Sequence, residues 1–187
     1  GVVYPEGLDA APTLSAGPIG DSFEGASRPG HFDGVLTVVK RLFDYVNPEV
    51  AVFGAKDAQQ VFLVQQMVQD QKLPLRIVEV DTVRDSFGLA LSSRNVQLSE
   101  AARAQALEIP RALDEASHQP SAQDARNRAR AILESAPGVS VDYVEVVHPE
   151  TFQPRGDGEP REQVRLIVAA TIGGVRLIDN KLLHFGQ

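Results

Sequence analysis

One junction between a strand and a helix carries residues that suit an anionic ligand. Residues 52–60 read VFGAKDAQQ, in which an apolar run ends at Gly54 and a helical pattern begins near Ala58. In open α/β sheets, ligands collect where strands end, and the N–H groups at helix starts attract phosphates. Gly54 allows close approach to the backbone, and Lys56 adds a positive charge. The junction therefore indicates a phosphate-binding site.

Two polar side chains of this junction have two interpretations each. Asp57 either caps the helix or hydrogen-bonds a ribose hydroxyl. Gln60 either completes that cap or holds a hydroxyl or carboxylate of a second substrate. Their separation along the chain is that of an N-cap residue and the N3 residue, so the spacing favours capping as much as binding.

A second group of donors follows later in the chain, where residues 88–95 read GLALSSRN. Arg94 can bind a phosphate or a developing diphosphate through two parallel N–H bonds, and Ser92 and Ser93 add hydroxyl and backbone donors. Such groups stabilise charge that grows in a phosphoryl-transfer transition state. The alternative is a polar loop between two domains. We call residues 88–95 the serine–arginine loop.

A third candidate segment, Arg28-Pro29-Gly30-His31, precedes a helical pattern. His31 either binds a carboxylate or phosphate at the start of that helix or is a hydrogen-bonded structural histidine. The other histidines, His118, His148 and His184, are assigned to structural or exposed positions. The four histidines lack the spacing of a zinc site on one helix.

Composition excludes several classes of function. The chain of 187 residues has a formal charge of −7, which argues against broad binding to nucleic acid or anionic membranes. It contains no cysteine, so disulfides, thiolate nucleophiles and Cys-ligated zinc are excluded, and a reducing cytoplasm is compatible. No apolar run approaches the ~18 residues of a membrane span.

The elements that position these residues follow an α/β pattern in the first part of the chain. A loop rich in Gly, Pro and Ser is predicted over residues 1–28, then a helix over 31–46, a buried parallel strand over 50–53, a helix over 57–70 and a strand over 75–80. This alternation is typical of a doubly wound parallel sheet. The first domain is predicted to span residues 1–82, with too few strands for a complete nucleotide-binding sheet.

A second, smaller α+β domain is predicted over residues 83–187. Its helices cover 99–116, with Ser99 as N-cap and Pro110 as an interruption, and 121–135. Its strands cover 141–147, 164–172 and 175–183, with a polar loop over 154–161. Gly173-Gly174 joins the last two strands and predicts a tight antiparallel hairpin.

The order and spacing of these segments resemble the pantothenate synthetases. The matching stretches are RPxHFxGV at 28–35, FGxKDxQQ at 53–60, TVR at 82–84, LAxSSRN at 89–95, VDY at 141–143 and LIDN at 177–180. The resemblance covers essentially the whole chain. It implies the C-terminal two-thirds of such an enzyme, namely the end of a Rossmann-like nucleotidyltransferase sheet followed by a small domain with an antiparallel sheet.

The resemblance implies an ATP-dependent ligase of pantothenate biosynthesis, on the coenzyme A pathway. Such an enzyme condenses (R)-pantoate with β-alanine through a pantoyl-adenylate and releases pantothenate, AMP and diphosphate. ATP enters as a substrate with Mg²⁺ on its phosphates, and no metal-ligating side chain is assigned. The family also implies a homodimer located in the cytoplasm.

The resemblance also implies the residues of the site. Lys56, Ser92, Ser93 and Arg94 would be catalytic, and the serine–arginine loop would close over the phosphates as the family's counterpart of a KMSKS loop. Gln60 would bind pantoate, and Arg28 and His31 would lie on the phosphate side. The implied ATP-binding residues are Gly54, Ala55, Lys56, Asp57, Val83, Leu91, Ser92, Ser93 and Arg94.

This sequence departs from the family pattern at several points. The family commonly has Glu at the position of Ala55 and Met at that of Leu91. Leu91 conserves volume, whereas Ala55 removes a carboxylate. Two N-terminal features of the family do not occur in these 187 residues, namely the HxGH segment and a second glutamine that faces pantoate and β-alanine. We therefore expect the chain to be a fragment that does not catalyse the reaction alone.

Two other functions fit the same sequence. One is a related ligase that forms an acyl-adenylate from a different hydroxy acid. The other is a folded dimerisation module, which would use the apolar helix around residues 35–46.

Overall fold

The computed structural model describes Gly7, residues 13–155 and residues 163–185, and the chain forms two compact units. The first unit contains the described residues up to Gly54 together with Ala58–Val80. The second contains Ala55–Asp57 and the described residues from Asp81 onward. Among the described residues, no helix is both long and apolar enough to span a bilayer.

The described part of the first unit contains four helices: α1 (Gly17–Gly20), α2 (Glu24–Ser27), α3 (His31–Val46) and α4 (Ala58–Asp70). The bounds predicted for α3 are confirmed. The helix ends because Asn47 adopts a left-handed conformation, with φ of 47°, and donates its N–H to Phe43 O at 2.8 Å. The two short helices α1 and α2 form within the stretch that was predicted to be a loop.

The core of the first unit lies between α3 and α4. From α3 it buries Phe32, Leu36 and Phe43, which recur at helical spacing. From α4 it buries a stripe that includes Val64 and Val68. Of the α3 valines, Val39 packs against this core, whereas Val46 at the end of the helix is 68% exposed.

Strands β1 (Val50–Gly54) and β2 (Arg76–Val80) pair in parallel, with Val50 opposite Arg76 and Gly54 opposite Val80. The parallel pairing is confirmed, but the prediction that β1 is buried is wrong. Its side chains alternate in exposure, and Val52 is 62% exposed. One face of this two-stranded sheet packs on the core through Ala51 and Phe53, whereas the opposite face is open within the described residues.

The second unit contains helices α5 (Glu100–Ala106), α6 (Glu108–Ser117) and α7 (Ala122–Ser135). The predicted interruption occurs at Leu107, before Pro110, because a proline has no N–H to donate to the carbonyl of Ala106. The predicted N-cap at Ser99 is confirmed, since its hydroxyl accepts the Ala102 N–H at 3.2 Å.

Three strands form an antiparallel sheet in the order β3 (Val139–Val147), β4 (Gln163–Ile172) and β5 (Val175–His184). The predicted hairpin is confirmed, with φ of 56° at Gly173 and 79° at Gly174. Helices α5, α6 and α7 pack against the sheet and enclose the core of this unit. The predicted polar loop over 154–161 lies largely outside the described residues.

Candidate active site

The second unit forms a cleft that brings together three of the predicted site residues. Lys56, Ser92 and Arg94 all line it. The opposite wall is strand β5, which contributes Arg176 and Asp179 among other residues. The cleft therefore combines a lysine, a hydroxyl and two arginines on elements far apart in the sequence.

Lys56 lies on a short 3₁₀ turn, Ala55–Asp57, which we call the lysine turn. Its side chain is 21% exposed, and its Nζ lies 3.4 Å from Asp57 Oδ1. The Asp57 side chain is 51% exposed, so this ion pair is weak. Within the described residues, Lys56 is the polar partner of the Asp57 carboxylate. The Gln60 N–H does not donate to this carboxylate, so no hydrogen bond supports the interpretation of Asp57 as a helix cap.

Asn180 fixes the backbone of the lysine turn. Its side-chain Nδ2 donates to Ala55 O at 2.8 Å and to Lys56 O at 3.0 Å. Its Oδ1 accepts from Arg165 Nη1 at 2.7 Å. Asn180 is 6% exposed, and its bond to Ala55 O is buried, so its amide satisfies a backbone carbonyl inside the fold. The position of Lys56 is therefore set by strand β5.

Asp179, the preceding residue of β5, holds the segment that leads into the serine–arginine loop. Its carboxylate pairs with Arg84 through two bonds, Nη1 to Oδ2 at 2.6 Å and Nη2 to Oδ1 at 2.9 Å. Arg84 also donates to Gly88 O at 3.0 Å. The bond to Asp179 raises the pKa of Arg84 above its ordinary value.

A turn at Asp85 leads into the serine–arginine loop. One carboxylate oxygen of Asp85 accepts the N–H groups of Phe87 at 3.0 Å and Leu89 at 3.1 Å, and the other accepts from Arg103 at 2.7 Å. Burial acts to raise the pKa of Asp85, but these hydrogen bonds to the charged carboxylate outweigh it and lower the pKa. The turn is therefore held by an ionised carboxylate.

The remainder of the loop is ordered by its own hydrogen bonds. The Ser92 hydroxyl accepts the Arg94 N–H at 3.2 Å and caps a 3₁₀ turn over Ser93–Gln97. Asn95 is buried and donates to Ala90 O at 3.0 Å. Arg94 Nη1 donates to the backbone carbonyl of Arg176 at 3.3 Å. Arg94 keeps further N–H donors for an anion, because a guanidinium carries five.

Two apolar residues of the predicted site lie on the surface of this unit. Val83 is 66% exposed and Leu91 is 50% exposed. The Leu91 N–H donates to Val83 O at 2.9 Å, so the two residues are held side by side. Ser93 is exposed and does not line the cleft.

The first unit contains the other predicted site residues. Gly54 ends β1, and Gln60 lies half-buried in the first turn of α4. Its neighbour Gln59 is buried and donates through Nε2 to Ile19 O at 2.7 Å and Ser22 O at 2.9 Å. Gln59 is thus bonded to the backbone and holds the segment before α3, a role that the sequence analysis missed.

Arg28 and His31 contact each other at the start of α3. Arg28 Nη1 donates to His31 Nε2 at 2.8 Å. This pairing agrees with the interpretation of His31 as a hydrogen-bonded histidine, and a contact with phosphate stays a prediction. In the described ranges, no group of three or more His, Cys, Asp or Glu side chains is arranged to hold a metal ion.

Sequence reasoning assigned no role to Arg84, Asp179 or Asn180. The available signal was an acidic residue and an amide within the apolar strand VRLIDNKLLH at 175–184, since polar groups inside a buried strand require partners. Their partners lie far away in the chain, so the signal does not identify them.

Comparisons of the chain with known proteins agree on one family. The pantoate–beta-alanine ligase family matches residues 2–182. A pantothenate synthetase from Acidothermus cellulolyticus is 50% identical over 173 residues, which cover 89% of this chain and 57% of the relative. The chain therefore spans little more than half the length of that relative.

Solved structures show the same likeness. Pantothenate synthetase from Thermus thermophilus superposes with a TM-score of 0.88 at 43% identity, over 97% of this chain and 67% of that one. Pantoate–beta-alanine ligase from Francisella tularensis, solved with beta-gamma ATP and beta-alanine, gives a TM-score of 0.70 at 32% identity, over 96% of this chain and 60% of that one.

Proposed function

Since the chain belongs to the pantoate–beta-alanine ligase family, we propose that it supplies the phosphate-facing cleft of an ATP-dependent ligase. The enzyme condenses (R)-pantoate with β-alanine and releases pantothenate, AMP and diphosphate. The observation that carries the proposal is the convergence of Lys56, Ser92 and Arg94 on one cleft of the second unit. Positive and neutral donors arranged in this way suit a phosphate group.

The first chemical step joins pantoate to the nucleotide. A carboxylate oxygen of pantoate bonds to the α-phosphorus of ATP, and the bond from that phosphorus to the bridging oxygen of diphosphate breaks. Negative charge grows on the phosphoryl oxygens, where Lys56 and Arg94 would stabilise it. The β-alanine amine then attacks the acyl carbonyl of the pantoyl-adenylate, and AMP leaves.

The serine–arginine loop would supply further donors to the phosphates. The Ser92 oxygen already accepts the Arg94 N–H, which leaves its own O–H to donate. Ser93 is exposed and would reach a phosphate only with the loop closed over the ligand. Donors held in place before reaction cost little reorganisation in the transition state.

The remaining ATP and pantoate contacts are part of the same proposal. Residues 1–82 would form the end of the nucleotide-binding domain, with Gly54, Ala55 and Asp57 toward ATP and Gln60 toward pantoate. The exposed apolar surface of Val83 and Leu91 suits the adenine base. Arg28 and His31 would face the phosphate side from the start of α3.

Mg²⁺ would enter this cleft bound to the ATP phosphates. Phosphate oxygens and water satisfy its octahedral preference, and carboxylate cages are not required. The ion would neutralise part of the triphosphate charge. We place the enzyme in the cytoplasm, where ATP is available as a substrate. The lack of cysteine in these 187 residues is compatible with that reducing compartment.

A homodimer is also proposed, supported by exposed apolar side chains in the first unit. Leu42, Tyr45 and Val46 of α3 are 42%, 53% and 68% exposed. Exposed apolar groups of this kind favour association with another surface. Sedimentation at several concentrations tests the proposal. A dimer without affinity for ATP would instead favour a role as a dimerisation module.

The proposed function is tested by isotope exchange between diphosphate and ATP. The assay compares this chain with the same chain joined to the upstream segment of the Acidothermus relative. We expect pantoate-dependent exchange from the joined protein and little exchange from the 187-residue chain, whose sequence has no HxGH segment. Exchange with another hydroxy acid, but not with pantoate, would identify a different ligase.

A further inference from the structure

Two adjacent residues of strand β5 hold two separate segments of the cleft. Asn180 binds the lysine turn through Ala55 O and Lys56 O. Asp179 binds Arg84 through both carboxylate oxygens. Successive side chains of a strand point to opposite faces, so neighbouring residues can reach different segments.

The chemistry of Asn180 is specific to an amide. Its NH₂ group donates to two carbonyl oxygens while its carbonyl oxygen accepts from Arg165. An aspartate of the same shape has no N–H and would place an oxygen beside the two carbonyls. The two backbone oxygens of the lysine turn would then lose both donors.

The chemistry of Asp179 is specific to a charged, two-oxygen group. The residue is 3% exposed, and a buried carboxylate is stable only with a close cation and hydrogen bonds. Arg84 supplies the cation, and the Asn180 N–H adds a bond of 2.8 Å to Oδ1. Arg84 in turn holds Gly88, where the serine–arginine loop begins.

We propose that Asp179 and Asn180 are positioning residues that fix the lysine turn and the base of the serine–arginine loop relative to each other. They sit on a strand that is paired with β4 along its whole length, with Val168 opposite Asp179 and Ile167 opposite Asn180. The strand is therefore a rigid support. The inference rests on the proposed function, because it assigns these segments to one reaction.

The first test measures order and needs no substrate. Backbone hydrogen exchange is compared in the wild-type chain, Asn180→Asp, Asp179→Asn and Arg84→Lys. We expect at least a tenfold loss of protection confined to the lysine turn in Asn180→Asp, and to residues 84–92 in the other two. Asn180→Asp should fold, because Arg165 remains 2.7 Å away as a cation for the new carboxylate.

The matched control is Asp114→Asn. Asp114 pairs with Lys181, the residue after Asn180, at 3.0 Å, and its side chain is 66% exposed. This variant removes one carboxylate charge from the same unit, and the hydrogen bond that it removes is to Lys181 and not to either segment. We expect the control to show the same backbone hydrogen exchange as the wild-type chain. If Asn180→Asp does not fold, Asn180→Ser keeps one hydroxyl donor and replaces it in both tests.

The second test uses the joined protein and measures diphosphate exchange. We expect kcat to fall roughly 10²-fold in Asn180→Asp and Asp179→Asn, with KM for ATP near the wild-type value, because small misplacements of reacting groups cost about this much. The proposal would be overturned if these variants kept the wild-type protection and kcat. It would also be overturned if their losses of protection and kcat followed a loss of global stability and occurred in the control as well. If the wild-type joined protein is inactive, the proposed function is refuted instead. The hydrogen-exchange measurement on the 187-residue chain would still decide this inference.

Discussion

Arg94 donates a hydrogen bond from its guanidinium to the backbone carbonyl of Arg176, at 3.3 Å. The Arg176 side chain is itself held by Asp142, whose Oδ2 accepts from Nε at 2.9 Å. The guanidinium groups of Arg94 and Arg176 therefore border the same cleft but have different partners. Asp142 partly neutralises Arg176, whereas Arg94 gives one hydrogen bond to a neutral carbonyl and is the better candidate to bind an incoming phosphate.

Arg94→Lys should lower diphosphate exchange by the joined protein about 10²–10³-fold, because lysine cannot reproduce two parallel bonds to a phosphoryl group. Global stability should change little. Arg128→Lys is the matched control, since Arg128 pairs with Glu115 on the surface at 2.7 Å. Equal activity losses in both variants would remove Arg94 from the proposed mechanism.

Alanine substitutions of the adjacent residues Gln59 and Gln60 should affect different properties, namely stability and pantoate binding. Gln59→Ala leaves the carbonyls of Ile19 and Ser22 without their side-chain donor and should destabilise the chain by about 1–3 kcal/mol. Gln60→Ala should alter stability by less than about 0.5 kcal/mol and raise KM for pantoate in the joined protein. Urea unfolding and steady-state kinetics separate the two effects, and an unchanged KM for pantoate would contradict the role given to Gln60.

The turn at Asp85 should be sensitive to acid. The folded pKa of Asp85 is lowered from 3.8, so its stabilising effect is fully present above that value and is lost as pH falls through the folded pKa. We expect Asp85→Asn to be less stable than wild type near neutrality and the difference to shrink below about pH 4. Urea titrations from about pH 3 to 7 measure it. A difference that does not depend on pH would show that the charge is unimportant.

The two glycines of the β4–β5 hairpin should tolerate alanine unequally. Both have positive φ, so each substitution should cost about 1–2 kcal/mol in backbone strain. At Gly173 a new Cβ would also lie 2.7 Å from the Cβ of Ala102, whereas nothing lies within 4 Å at Gly174. Thermal unfolding should therefore rank Gly173→Ala below Gly174→Ala. The reverse order would contradict the packing of this hairpin on α5.

Local physics explains what could be predicted from the sequence. The α3 helix, the cap at Ser99 and the Gly173-Gly174 hairpin are determined by residues within a few positions of one another, and each was predicted. The buried character of β1 was predicted wrongly. An apolar run reports the preference of its side chains, whereas burial depends on which other strands and helices cover both faces.

The sequence by itself determined the family, most elements and the residue types that suit a phosphate. Tertiary structure alone decided which of them meet. Arg84 and Asp179 are 95 positions apart, and Asn180 and Ala55 are 125 positions apart. No local pattern encodes such pairs, because they form only after the sheet, the lysine turn and the serine–arginine loop are packed together. A polar residue in a buried strand indicates that a partner exists, and only the fold identifies it.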